Sequence, residues 1–326
     1  MMKNIKKYLD ADNLEIEIYC IGYKSEGESI VIFLKDKDQI IWAGVIDCFK
    51  KEINKTEEIL KENNYGPGQK KLNFICISHP DYDHIYGMNE IFENYTDENT
   101  TFIAPNFLQD NYKPTESTKE IIEYFRQKFS KINDINYNNL YLDRCFDPGL
   151  AHQFINHKNR KIRFEIRALT PYNSYSFSKM VKREENINKN DYSMMLVFEI
   201  DNINLLFCSD CENEVIDRIE LDEIPDNIYY FKIPHHGSNT SSHIIENWIE
   251  ENKKIDIAVC GTRTKNNTTN IEILNGYYYN SNEVHMTASI NKDYNVNNYG
   301  IIKLNCKNMQ TDNLIHMGNA LKYEVV

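Results

Sequence analysis

The sequence has no apolar stretch long enough to cross a bilayer, and Met1–Lys7 shows no signal-peptide pattern. Internal repeats and low-complexity linkers are also missing, so no position clearly divides the chain. Its 326 residues can bury a substantial core, as one large domain or two small ones. We expect a single domain over residues 1–326, cytoplasmic and without a membrane partner.

A positive net charge is absent as well. The 37 Lys and Arg residues are outnumbered by 49 Asp and Glu residues, which gives a formal charge of −12 at pH 7. An acidic protein does not present the broad basic face expected of an enzyme that binds duplex DNA.

The cysteines do not form a pattern typical of a disulfide framework or a zinc finger. Most of the eight cysteines lie inside apolar, strand-like runs, which is typical of buried free thiols. Cys208 and Cys211 have CxxC spacing, but no second CxxC accompanies them. We interpret this pair as structural.

The most informative segment that is present is Ser78–His84, which follows the apolar run Leu72–Ile77 and precedes a helix-like stretch. It contains four potential metal ligands: His79, Asp81, Asp83 and His84. A strand-to-helix loop with an N-cap is the alternative interpretation, but a cap needs only one polar side chain. Imidazoles mixed with carboxylates suit zinc, manganese or iron. The segment therefore predicts a metal site.

The His-x-Asp-x-Asp-His pattern over 79–84 resembles the His-x-His-x-Asp-His signature of the metallo-β-lactamase-fold hydrolases. It is most similar to the hydrolase domain of bacterial competence proteins that process DNA during uptake. Three further segments match in the right order: Ile46-Asp47, Leu205–Asp210 and Phe231–Ser238, which ends in His-His-Gly-Ser. The resemblance implies an α/β fold, namely a four-layer αββα sandwich of two mixed sheets flanked by helices.

The resemblance also implies a cofactor of one or two divalent metal ions, zinc or manganese. By position, the expected metal ligands are His79 and Asp81 on one ion, Asp83 and His84 on the other, Asp210 between them, and His236 (or His235) on the second ion. The expected catalytic residues are Asp83, His235 and His236. Because consecutive strand residues point to opposite sides, we expect only one of the paired imidazoles to face a metal. The other is a candidate general acid or supporting group.

Other polar residues are candidates for supporting the ligands or contacting substrate: Asp47, Asn190, Ser193 and Ser238. Asp47 is expected to hold the ligand loop by hydrogen bonding rather than to bind metal. Asn190 and Ser193 are equally well explained in two ways: they hold the loop over the site or contact substrate, or they form a simple turn before a strand. An alternative interpretation of Asp210 is that it caps the N-terminus of a helix beginning near Glu212. An alternative interpretation of His235 and His236 is that they form a polar turn and bind no metal.

The sequence departs from the family pattern in several places. Asp81 replaces a histidine, which adds negative charge and favours manganese. Ser209 stands where a glycine is usual, and Gly261–Asn270 replaces a segment that often contains a histidine. The third histidine of the first metal site has no clear counterpart, because His152 and His157 follow no obvious strand.

Apolar runs and turn residues predict a layered α/β arrangement. We expect three strands within 14–48 and further strands at 162–169, 193–200, 203–208, 228–233, 256–260, 284–288 and 299–305. Helices are predicted at 50–63 and 115–131, the second inside an irregular insertion, 105–160, near the active-site mouth.

These features together predict a metal-dependent phosphodiesterase or nuclease that acts on a phosphoester of a nucleic acid or nucleotide. The acidic charge makes a small nucleotide or a single-stranded end as reasonable a substrate as long DNA. Two alternatives stay open: a metallo-hydrolase of a carboxylic ester, lactone or amide, and a non-catalytic sensing or binding module with a degraded site. A protein partner or an oligomer is left open as well.

Overall fold

A computed structural model describes most of the chain. The described residues are 14–23, 26–50, 54–105, 113–130, 140–142, 149–157, 160–171, 188–200, 203–249, 251, 253–264, 266, 268–290, 299–307 and 310–325. Side chains are described for these residues except 129–130, 140–142, 149–157, 160–163, 307 and 310–313. Parts of the predicted 105–160 insertion, at 106–112, 131–139, 143–148 and 158–159, lie outside the described residues, so its position at the site stays a prediction.

Strands dominate the described chain. They are β1 (Leu14–Tyr23), β2 (Glu28–Asp36), β3 (Gln39–Ile46), β4 (Phe74–Cys76), β5 (Thr101–Ala104), β6 (Leu140–Leu142), β7 (Gly149–His157), β8 (Arg160–Thr170), β9 (Met195–Ile200), β10 (Ile203–Cys208), β11 (Asn227–Lys232), β12 (Lys254–Cys260), β13 (Ser281–Met286), β14 (Tyr299–Lys307), β15 (Gln310–Gly318) and β16 (Leu321–Lys322). The described α-helices are α1 (Lys55–Glu62), α2 (Tyr82–Ile85), α3 (Met88–Tyr95), α4 (Lys119–Ser130), α5 (Asn213–Ile216) and α6 (Ile271–Asn280). A π-helical segment covers Ile244–Ile249.

The strands form two mixed sheets, each with eight described strands. The first has the order β15-β14-β1-β2-β3-β4-β5-β6; it is antiparallel as far as β3 and parallel from β3 to β6. The second has the order β16-β13-β12-β11-β10-β9-β8-β7, with parallel pairing only between β10 and β13. Both sheets are therefore mixed, and the chain belongs to the α/β class.

A single apolar core joins the facing sides of the two sheets. In it, the Trp42 ring of β3 meets Phe164 of β8 edge-to-face, with centroids 4.7 Å apart, and Phe74 meets Phe198 at 5.5 Å. Two further cores cover the outer faces: α1, α3 and α4 pack on the first sheet, and α5, α6 and the π-helical segment pack on the second. Burying these faces is the main stabilising contribution to the fold.

The carboxyl ends of the parallel strands from both sheets meet at one edge of the protein. The Met194 N–H, just before β9, donates to the Ser78 carbonyl after β4, at 2.9 Å. The His235 N–H, after β11, donates to the Ser209 carbonyl after β10, also at 2.9 Å. In α/β sheets, ligands bind at this kind of edge, because the loops there carry side chains on rigid supports.

Most predicted elements are present, with shifted boundaries. The helix predicted from 115 begins at Lys119, because Thr115–Thr118 forms a hydrogen-bonded turn in front of it. The expectation that the segment 105–160 is irregular apart from one helix is wrong, because β6 and β7 lie within it. His152 and His157 both belong to β7, an edge strand of the second sheet.

The seven described cysteines are all free and buried, as predicted, whereas Cys145 lies outside the described residues. Burial raises the pKa of Cys208 well above the usual thiol value and that of Cys211 to about 12. Both therefore stay protonated, which fits the structural interpretation of this CxxC pair. Among the described helices, none combines the length and the apolar character needed to cross a membrane.

Candidate metal centre

Asp210, directly after β10, is the centre of the cluster of imidazoles. The Nε2 atoms of four histidines surround its carboxylate: His84 lies 3.5 Å from Oδ1, while His236, His79 and His235 lie 3.5, 3.8 and 3.9 Å from Oδ2. The carboxylate is almost fully buried. The alternative role for Asp210 as a helix cap is wrong, because Glu212 occupies the N-cap position of α5.

Asp83 completes one side of the cluster. Its Oδ2 atom lies 3.7 Å from Nε2 of His236, and Asp83, His84 and His236 can each place one ligand atom within 4.8 Å of the others. A second such group comprises Asp47, His79 and His84. Buried carboxylates and imidazoles gathered at this spacing could hold a metal ion.

The polar atoms that face the centre are buried and have no hydrogen-bond partner in the described part of the chain. They are His79 Nε2, His84 Nε2, His236 Nε2 and both carboxylate oxygens of Asp210. Asp83 Oδ2 is also buried, but it is paired with Arg263, whose Nη1 atom lies 2.9 Å away. A buried polar atom without a partner costs about 1–3 kcal/mol, and a charged one costs more. Five such atoms in one place fit a site built for a cation, because bound metal would satisfy them.

The opposite ring nitrogen of each histidine is tied to the protein. Nδ1 of His84 donates to Asp47 Oδ2 at 2.7 Å, and Nδ1 of His236 donates to the Gly261 carbonyl at 2.6 Å. Nδ1 of His79 is hydrogen-bonded to Ser209 Oγ at 2.8 Å. Carboxylate and carbonyl oxygens can only accept, so the Nε2 atoms of His84 and His236 are the ones left to coordinate an ion. Ser209, the residue that replaces the usual glycine, therefore orients His79.

Asp47 holds the ligand loop from behind. Its Oδ1 accepts the Ser78 N–H at 2.7 Å, and its Oδ2 accepts the Ser78 hydroxyl in addition to His84. Asp47 directly follows β3 and has a left-handed backbone conformation, with φ 57°. A non-glycine residue pays about 1–2 kcal/mol for this conformation, and such residues concentrate at functional sites.

His235 and His236 lie in a tight turn, not in a strand. Their φ angles are 43° and 54°, and Gly237 continues the turn with φ 75°. The expectation that only one imidazole faces the site is therefore wrong: the left-handed turn brings both Nε2 atoms within 3.9 Å of Asp210 Oδ2. The two differ in environment, since His236 is buried whereas His235 is partly exposed.

Glu212 holds the outer histidine. Its Oε1 lies 3.2 Å from Nδ1 of His235 and accepts from the side chains of Asn190, at 3.0 Å, and Thr240, at 3.2 Å. Burial tends to raise the pKa of Glu212, but the bonds from His235 and Asn190 outweigh it and lower the pKa to about 2. Asn190 thus pins its 3₁₀ turn to the site through Glu212.

The remaining candidates contact the site less directly. Asp81 is half-buried and forms an ion pair with Lys189, and it belongs to neither group of potential ligands. Its place on a first metal stays a prediction. Ser193 is buried, and its carbonyl accepts from Thr170 Oγ1 at 2.9 Å. Ser238 caps the turn after Gly237 by accepting from the Thr240 N–H at 3.3 Å.

The charges of the cluster are strongly coupled. Burial lowers the pKa of His79 to about 4, and the neighbouring His84 acts in the same direction. Burial also disfavours a charged His84, but Asp210 and Asp47 outweigh it and raise the pKa of His84 well above its usual value. The pKa values of Asp83 and Asp210 lie below the usual range, because neighbouring imidazoles outweigh their burial. The centre therefore keeps its carboxylates ionised.

Sequence reasoning missed three groups at or beside the site. Glu212 had been considered only as a neighbour of Asp210, and Arg263, 2.9 Å from Asp83 Oδ2, lies in the segment that departs from the family pattern. A fully buried ion pair between Lys232 and Glu28, at 2.9 Å, lies behind His236. No local sequence pattern predicts these contacts, because the two residues of each contact are far apart in the sequence.

In comparisons with known proteins, no protein-family model and no curated protein matches this chain. The side chains of the centre and their chemistry are therefore the basis for inferring a function.

Proposed function

We propose that the protein is a metal-dependent hydrolase, namely a phosphodiesterase or nuclease that acts on a nucleic acid or nucleotide. The proposal includes one or two divalent ions, zinc or manganese, and the four-layer αββα arrangement of a metallo-β-lactamase-type fold. The two facing sheets with helices on their outer faces support that fold. The order of the site residues along the chain supports it as well.

The observation that carries the proposal is the set of five buried polar atoms without a partner, which belong to Asp210 and the three histidines His79, His84 and His236. The residues Asp83, His84, Asp210 and His236 would hold one ion, and His79 with Asp210 would contribute to a second. A bound divalent ion supplies an activated water and stabilises negative charge that develops on the substrate.

The chain's own residues would orient the reaction around that centre. Asp47, Ser209 and Gly261 fix three imidazoles through their Nδ1 atoms, so that little reorganisation is needed when an ion binds. His235 lies at the exposed side of the cluster, and Glu212 fixes its ring. We assign His235 as the proton donor to the leaving group, because it is close to the centre and accessible from outside.

A grid of metals and substrates tests this function. Wild-type protein, stripped and reloaded with Mn²⁺ or Zn²⁺, would be assayed on single- and double-stranded DNA, RNA, cyclic nucleotides, bis-p-nitrophenyl phosphate and a lactone. We expect phosphoester hydrolysis that depends on metal. Asp83→Asn should reduce kcat/KM at least about 10³-fold, since it weakens a proposed ligand. The matched control is Asp226→Asn, whose carboxylate is exposed and pairs with Lys253.

The outcomes separate the candidate functions. Metal uptake with turnover of the lactone but no phosphoester would favour the carboxylic ester alternative. Metal uptake without any turnover would favour a sensing module. Wild-type protein that binds no transition metal, or Asp83→Asn with unchanged activity, would refute the proposal.

A further inference from the structure

Arg263 reaches into the metal centre from the loop after β12. Its Nη1 atom lies 2.9 Å from Asp83 Oδ2, and its Nη2 atom lies 4.0 Å from Glu26. The side chain is 16 % exposed, so it is largely but not completely withdrawn from water. Its Nε atom is buried and has no hydrogen-bond partner among the described residues.

The backbone that carries Arg263 is rigidly held. The Arg263 N–H donates to Thr269 Oγ1 at 3.0 Å, while the preceding Thr262 donates its N–H to Thr287 Oγ1 and its hydroxyl to the Ala288 carbonyl, both at 2.9 Å. The residue before them, Gly261, accepts from Nδ1 of His236. One short segment therefore orients a proposed metal ligand and presents a cation beside it.

We propose that Arg263 is the residue that recognises the anionic oxygen of the substrate. The inference rests on the proposed function and deepens it, because it makes a phosphoester, rather than a neutral ester or lactone, the preferred substrate class. A guanidinium carries five N–H donors in a planar fork that matches phosphate geometry. Asp83 pairs with Nη1 of that fork, and Glu26 lies 4.0 Å from Nη2. The Nε atom has no hydrogen-bond partner among the described residues, so at least one of the five donors is not used by the protein.

The alternative is that Arg263 only balances the charge of Asp83. Both roles make one common prediction: a fixed positive charge beside Asp83 opposes a divalent cation, so removing it should strengthen metal binding, by about tenfold or more. Only the recognition role predicts that the same substitution weakens the binding of phosphate. The two effects have opposite signs and can be measured independently of turnover.

The test compares Arg263→Gln, which removes the charge, with Arg263→Lys, which keeps the charge but loses the planar fork. Arg218→Gln is the matched control, because Arg218 is exposed and pairs with Glu214 one helical turn away. Mn²⁺ affinity would be measured by competition titration, and inorganic phosphate affinity by calorimetry on the Mn²⁺-loaded protein. Turnover of bis-p-nitrophenyl phosphate and of neutral p-nitrophenyl acetate completes the set.

For Arg263→Gln we expect Mn²⁺ affinity to rise about tenfold and phosphate affinity to fall about 30-fold, as for the loss of a charge-assisted pair. The kcat/KM for the phosphodiester should fall about 100-fold, while that for the acetate stays within about threefold. Arg263→Lys should keep the wild-type Mn²⁺ affinity and lose several-fold in phosphate affinity.

Unchanged phosphate affinity in Arg263→Gln, or equal losses on the charged and the neutral substrate, would overturn the recognition role while leaving the hydrolase proposal intact. A wild-type protein that binds no metal would overturn both. Metal-dependent turnover of the acetate alone, with no phosphate binding, would also reject the recognition role, and it would move the proposed function to carboxylic esters.

Discussion

Asp47 Oδ2 lies 2.7 Å from Nδ1 of His84, although the two residues are 37 positions apart in the sequence. The contact connects the residue after β3 to helix α2, and it fixes which nitrogen of His84 faces Asp210. Both oxygens of Asp47 act as acceptors, because Ser78 donates its N–H to Oδ1 and its hydroxyl to Oδ2. Asp47 therefore acts on the centre through other residues, as a positioning residue.

Replacing Asp47 with Asn should weaken metal binding. The substitution turns one acceptor into a donor, which then faces a donor of Ser78 or of His84. We expect Mn²⁺ or Zn²⁺ affinity to fall about 10–100-fold, as for other partners of ligating histidines. The free energy of unfolding should fall by about 1–3 kcal/mol, because a buried donor loses its partner. Competition titration and urea unfolding measure the two effects; an unchanged metal affinity would argue against the positioning role.

Metal should stabilise the folded protein, and Asp210 should be required for this effect. An ion that binds only the folded state stabilises it by about 2.7 kcal/mol at a free concentration 100 times Kd. In a chain of this size, that raises the Tm by a few degrees. We expect the shift for wild-type protein with Mn²⁺ or Zn²⁺ and its loss after chelation. Asp210→Asn should show no shift, and a normal shift in this variant would remove Asp210 from the proposed ligands.

The location of the centre was predictable because its signal is local. Four potential ligands crowd into His79–His84 directly after an apolar strand, and Asp210 and His235 each follow another such strand. The carboxyl ends of parallel strands meet at one edge of a sheet. Candidate ligands that follow several such strands are therefore expected to lie together in one metal site. The predicted boundaries of β10, 203–208, agree with the observed ones, because an almost continuous apolar run is preceded by Asp201-Asn202 and followed by Ser209-Asp210.

The conformation of the His235–His236 turn and the contacts of Arg263 were not predictable in this way. Periodicity assigns strands and helices, but a left-handed turn at two histidines depends on tertiary hydrogen bonds such as that of His236 to Gly261. The partner of Arg263 is 180 positions away along the chain, so no sequence window contains both residues. The sequence therefore predicts which residue types are candidate ligands. That both His235 and His236 face Asp210, and that Arg263 pairs with Asp83, could be learned only from the three-dimensional structure.

His236 and His235 should differ in what they contribute. His236 is buried and lies close to both Asp83 and Asp210, so His236→Asn should reduce metal affinity at least about 100-fold. His235 is on the exposed side, so His235→Asn should keep metal affinity within about tenfold and reduce turnover about 10²–10⁴-fold on substrates whose leaving group needs a proton.

Two substrates with different leaving groups test whether His235 acts as the proton donor. A p-nitrophenolate departs without protonation, so His235→Asn should lose much less activity on bis-p-nitrophenyl phosphate than on a dinucleotide with an alkoxide leaving group. An equal loss on both substrates would contradict the proton-donor role of His235. A large loss of metal affinity in this variant would instead make His235 a ligand.

Glu17, which lies outside the candidate metal centre, gives a prediction about how stability depends on pH. It is buried on β1, forms ion pairs with Lys35 of β2 and Lys303 of β14, and accepts from the Tyr19 hydroxyl at 3.0 Å. Burial tends to raise the pKa of Glu17, but the bonds from Lys303 and Lys35 outweigh it and the pKa is lowered from its usual value of 4.5. Because the folded protein binds the proton less tightly, this stabilisation is complete above pH 4.5 and is lost as the pH falls through the folded pKa.

Glu17→Gln should therefore destabilise the protein most at neutral pH. We expect a loss of about 2–3 kcal/mol at pH 7, below the range for fully buried pairs because both lysines are partly exposed. In urea unfolding, the difference from wild type should narrow as the pH falls from 4.5 through the lowered folded pKa, because the wild-type carboxylate also becomes protonated there. Glu58→Gln is the control: its pair with Lys55 is on the surface and contributes at most about 1 kcal/mol. A difference that stays constant from pH 7 to pH 3 would show that Glu17 stabilises the sheet by packing and not by its charge.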